Sequence, residues 1–88
     1  ITLTINGNNS LIRVNGVQVA SGTANVNPMT QLNIGANVNE SQGLDGFIAE
    51  IVMTDDRSST ELIEGYLAHK WGLESSLPSD HVYKNSAP

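Results

Sequence analysis

The chain predicts a mainly β fold with one C-terminal α-helix packed on the sheet. Three observations carry this expectation. Apolar residues alternate with period two near the start, an Asn-Gly pair sits between two β-branched runs, and one amphipathic segment occupies the last third.

Ile1, Leu3 and Ile5 alternate with Thr2 and Thr4, the pattern of a half-buried strand. Residues 6–10 read as a turn. Leu11-Ile12-Arg13-Val14, then Asn15-Gly16, then Val17-Gln18-Val19-Ala20 is a hairpin, because Asn-Gly accepts the positive φ that a two-residue turn demands. In that register Val14 faces Val17 and Ile12 faces Val19, so four β-branched side chains share one surface. Residues 21–30 are polar and broken by Pro28, and Gln31 to Ile34 is expected as a further short strand. After the loop 35–43, Asp45-Gly46 enters the most apolar run, Phe47 to Met53. It is apolar on both sides of Glu50, which suits a central strand covered twice.

The helix is predicted over Ser58–Trp71. Leu62, Ile63, Tyr66, Leu67 and Trp71 fill one half of its wheel with the Lys70 stem, opposite Glu61, Glu64, Gly65, Ala68 and His69. Ser58 and Glu61 have capping-box spacing, and Gly72 stands where a left-handed cap belongs. So short a helix is stable only on a support, so those five apolar residues are expected to lie against the sheet. Residues 74–88 have no period and read as a tail pinned along the surface.

At 88 residues the chain is at most one small domain, with limited capacity to bury surface. It has no cysteine, which excludes disulfides and thiolate chemistry. A formal charge of −5 and four scattered cations, Arg13, Arg57, Lys70 and Lys84, argue against a nucleic-acid partner. No apolar run reaches membrane-spanning length, and no signal-peptide pattern is found in these residues. A chain that opens at Ile1 straight into a strand pattern is expected to be a piece of a longer polypeptide.

The hairpin Leu11-Ile12-Arg13-Val14-Asn15-Gly16, the stretch Leu32-Asn33-Ile34-Gly35-Ala36 and the run Asp45-Gly46-Phe47-Ile48-Ala49-Glu50-Ile51 occur in a distinctive order. Asp56-Arg57 then precedes the helix. In this the chain resembles the C-terminal half of a laminin-G-like domain of the concanavalin A-like lectin/glucanase superfamily. The ending Glu64-Gly65-Tyr66-Leu67-Ala68-His69-Lys70-Trp71-Gly72-Leu73, followed by Leu77-Pro78-Ser79-Asp80-His81-Val82-Tyr83, is similar to a subgroup in phage virion proteins and large bacterial surface proteins. The resemblance implies an antiparallel jelly-roll sandwich, here partial, with residues 1–88 as its C-terminal portion. It also implies a virion or cell-surface location.

Retaining glycosidases of that superfamily set paired carboxylates on one strand. Glu50 has no acidic neighbour two residues away, so no catalytic residue is assigned and Glu50 is expected to be a buried polar anchor. Calcium is the one cofactor considered: Asn37, Asn39, Glu40 and Asp45 supply the oxygens it prefers, although Asn and Gly are also ordinary turn residues. His69 is expected to be solvated and His81 to be a hydrogen-bonding residue of the tail, since their positions make a poor zinc pair. Tyr66 and Trp71 are assigned to core packing, and no residue is assigned to carbohydrate binding.

The expected function is a non-enzymatic, lectin-like module for glycan or surface adhesion, as in a tail fibre. The alternatives are a purely structural virion module, or an accessory domain of a secreted carbohydrate-active enzyme. Five strands and one helix cannot cover both faces of the Phe47–Met53 run or shield the hairpin. The missing cover is therefore expected from earlier residues of the same polypeptide or from neighbouring subunits.

Overall fold

The computed structural model describes the chain except residues 25–30, 38 and 40. A three-stranded antiparallel sheet in the order β1-β2-β3 is formed by β1 (Thr2–Thr4), β2 (Ser10–Val14) and β3 (Val17–Gly22). A 3₁₀ turn, Gly7–Asn9, links β1 to β2. One α-helix, α1 (Thr60–Lys70), follows a 3₁₀ turn at Arg57–Ser59, and a third 3₁₀ turn spans Glu74–Ser76. The fold is thus mainly β with one C-terminal helix.

The hairpin forms as the Asn-Gly pair requires. Asn15 and Gly16 have φ of 52° and 77°, and Val14 lies opposite Val17. The expected partnership of Ile12 with Val19 does not form. A β-bulge intervenes, so Arg13 pairs with Gln18 but Ile12 pairs with Ala20. A tight turn fixes only the pairs nearest to it, and one extra residue in β3 resets the rest while adding local twist.

Pairing gives the sheet two unlike faces. Thr2 lies opposite Arg13 and Thr4 opposite Leu11, whereas Leu3 lies opposite Ile12. Successive side chains alternate across a strand, so Thr2, Thr4, Leu11 and Arg13 share one face and Leu3, Ile12 and Val14 the other. The polar face carries the helix and the tail. Leu3, Ile12, Val14 and Val17 are all exposed. Among the described residues only Ala68 and Leu77 are buried apolar side chains. The radius of gyration is 14.4 Å, against about 12 Å for a compact domain of this length.

Two expected strands are absent. The Phe47–Met53 run forms no backbone ladder, and Phe47 is fully exposed. A strand exists only in partnership, and β-branched composition cannot substitute for a neighbouring edge. Gln31–Ile34 is not a strand either. Nearby, an isolated bridge between Ala36 and Gly43 closes the following loop, with Leu44 N–H donating to Gly35 O at 2.6 Å.

The helix starts later than predicted. Asp56, not Ser58, caps its approach: the carboxylate accepts from Ser58 N–H at 3.0 Å and from the Ser58 and Ser59 hydroxyls. These bonds hold the Asp56 carboxyl below its ordinary value. Gly72 does take the left-handed cap (φ 70°), and Leu73 N–H reaches back to Ala68 O at 2.7 Å, as a Schellman ending requires. The buried side of α1 is rotated from the expected one. Glu64, Gly65 and Ala68 are buried, Ile63 and Leu67 are half-buried, and Leu62, Tyr66 and Trp71 are exposed.

Candidate functional site

Two polar clusters organise opposite sides of α1. The inner one is built on Glu64. Arg13 donates to it twice, from Nε to Oε1 at 2.6 Å and from Nη2 to Oε2 at 3.0 Å, and Arg13 Nη2 also reaches Gly16 O at 2.8 Å. Thr2 Oγ1 donates to Oε1 at 3.2 Å. His81 Nε2 lies 3.1 Å from Oε2, while its Nδ1 lies 3.1 Å from Tyr83 N. A backbone N–H only donates, so Nδ1 is the acceptor and the ring proton is assigned to Nε2, which donates to Glu64.

A carboxylate has about four acceptor positions, and the four donors here occupy them. His81 spends both ring nitrogens. Burial pushes the Glu64 carboxyl up, but the bonds from Arg13 and then His81 outweigh that and hold it below its ordinary value of 4.5. This is a structural clasp joining hairpin, helix and tail. It offers a substrate no free base.

Small residues let the clasp close. A Cβ on Gly65 would lie 2.6 Å from Tyr83 Cβ, and one on Gly16 would meet His81, Leu77 and Pro78 at 3.1–3.2 Å. The tail has two further anchors. Lys84 Nζ donates to the carbonyls of Glu74, Ser75 and Leu77. His69 is half-buried rather than solvated, with Nε2 2.7 Å from Tyr83 O, so it donates there.

The outer cluster joins Glu50 to Tyr66, Lys70 and Trp71. Tyr66 Oη donates to Glu50 Oε1 at 3.1 Å, and Trp71 Nε1 donates to Oε2 at 2.8 Å. Lys70 Nζ lies 3.0 Å from Oε2 and donates to Tyr66 Oη at 3.0 Å. The same ammonium stands 5.3 Å from the Tyr66 ring centroid and 5.7 Å from that of Trp71. The bonds from Lys70 and Trp71 hold Glu50 below the usual carboxylate range, and those to Tyr66 and Glu50 raise Lys70. Glu50 is therefore an anchor for the helix, half-buried rather than buried as expected. Tyr66 remains 43% and Trp71 46% exposed. Their assignment to the core is overturned, because a helical wheel reports which side chains are apolar and not which partners reach them.

The loop 35–45 stands apart from both clusters. Asn37 Oδ1 accepts from Ser41 N–H at 2.9 Å and its Nδ2 donates to Ser41 Oγ at 2.9 Å, an Asx-type closure of the turn. Asn39 and Asp45 are exposed, and Glu40 lies outside the described residues. Among the described residues no group of three or more His, Asp or Glu side chains is placed to share a metal ion. Among the described residues no helix is long and apolar enough to cross a membrane.

Comparison with family models, with curated proteins and with solved structures gave no match to this chain.

Proposed function

We propose that the chain is a non-enzymatic, lectin-like β module of a virion or cell-surface protein, with recognition of glycans as its task. Its three-stranded sheet then belongs to a jelly-roll sandwich, and a second sheet covers Leu3, Ile12, Val14 and Val17. The observation that supports this is the two-faced sheet: the polar face carries helix and tail, while the apolar face is open. A sandwich is built by setting two such apolar faces about 10 Å apart. Recognition is favoured over hydrolysis because Glu50 and Glu64 sit in separate clusters, each held by its own donors, so they do not form a carboxylate pair. The same open face also favours a second reading, a structural module that packs against copies or neighbours.

A glycan array probed with the chain, with calcium and with a chelator, separates the two. Retention on a defined set of glycans, without cleavage, is the expected result, and loss on chelation would bring calcium at Asn37, Asn39, Glu40 and Asp45 into the account. A blank array together with concentration-dependent self-association would favour the structural module instead.

A further inference from the structure

Resting on the lectin-like reading, we propose that Trp71, Tyr66, Lys70 and Glu50 form a stacking site for an uncharged pyranose bearing vicinal hydroxyls. The polar edges of both rings are already spent, since Trp71 Nε1 and Tyr66 Oη donate to Glu50. What the rings offer a ligand is therefore surface for C–H groups, nearly half of each residue being accessible. Fixing both rings through one carboxylate also lowers the entropy lost on binding.

The remaining hydrogen-bonding capacity selects the ligand. Of the three Lys70 protons, one goes to Tyr66 and one to Glu50, which leaves one free on a side chain 46% exposed. Glu50 Oε2 takes Trp71 and Lys70, but Oε1 takes only Tyr66 and keeps one acceptor position. One spare donor beside one spare acceptor matches two adjacent hydroxyls, the first accepting from Lys70 and the second donating to Glu50. The charges of Lys70 and Glu50 cancel within the site. A polyanion is disfavoured by the chain's net −5, and a cation by the ammonium already standing over both rings.

Trp71 is the single tryptophan, so its fluorescence reports the site directly. Methyl glycosides of glucose, galactose, mannose and N-acetylglucosamine are titrated into the chain, and variants are followed by calorimetry. At least one glycoside is expected to shift the Trp71 emission. By calorimetry W71A and E50Q should each weaken binding of that glycoside by about tenfold, and the remote V82A should leave it unchanged. Glycan binding on the array that survives W71A and E50Q undiminished would overturn this site while leaving the lectin-like reading intact. Absence of binding to every glycan tested would overturn both.

Discussion

The two sides of α1 solve the same problem in opposite ways. On the inner side a buried carboxylate gathers donors from β1, β2 and the tail, and glycines at 16 and 65 let backbones and rings approach closely. On the outer side one half-buried carboxylate aligns two rings and an ammonium that stay in contact with water. The inner cluster has no spare valence and serves cohesion. The outer one keeps a donor and an acceptor and serves contact. Charged residues alone do not mark a functional site; their unspent hydrogen-bonding capacity does.

The sharpest way to break the inner side is Glu64→Ala. It strands the Arg13 guanidinium and the His81 N–H together, and loss of one partner of a buried ion pair costs about 3–5 kcal/mol. Denaturant titration checks this, with the midpoint expected to fall steeply. The same clasp sets a pH response. The folded-state pKa of Glu64 lies below its unfolded value of 4.5, so its contribution is full above that value and lost as pH falls through the folded one. Stability measured from neutral to acid pH should drop below 4.5 in the native chain, and that part of the drop should be missing in Glu64→Gln.

Gly65→Ala comes next, and it weighs two effects of opposite sign. Alanine gains about 1 kcal/mol of helix propensity. A Cβ 2.6 Å from Tyr83 is an overpacking clash, worth about 1–3 kcal/mol. The clash should win, seen as a loosened tail with Tyr83 resonances shifted toward random-coil values.

Gly16→Val should cost about 1–2 kcal/mol for a left-handed β-branched residue, with added crowding against Leu77, Pro78 and His81. Trp71→Ala should stay well below Glu64→Ala. A residue 46% exposed should lose about 1–2 kcal/mol rather than the 3–5 kcal/mol typical of a fully buried aromatic. An equal loss at Glu64 and Trp71 would erase the distinction between the two sides.

The features legible in the sequence are those decided within a few residues. Asn15-Gly16 fixes its own turn, Gly72 its own cap, and the helix its own existence. The buried side of α1 was not legible, because Glu64 is drawn inward by Arg13, 51 positions away, and by His81, 17 positions away. Gly65 is legible as the close approach to Tyr83 only once the tail's path is known. The bulge at Val19 and the unpaired Phe47–Met53 run fail for one reason: strand pairing is a property of two segments, and each was judged alone. Glu50 is legible as an anchor, but its partners Tyr66 and Trp71 read as core residues on the helical wheel, so the outer cluster is not legible in the sequence.

Hydroxyl-radical footprinting of the chain, with residue-level mass spectrometry, tests the difference between the two sides most directly. Phe47, Leu3, Ile12 and Trp71 should oxidise rapidly, while Leu77 and His81 stay protected until the chain unfolds. Protection of Phe47, Leu3 and Trp71 equal to that of Leu77 would contradict it, and would mean that the apolar sheet face and the outer cluster are closed.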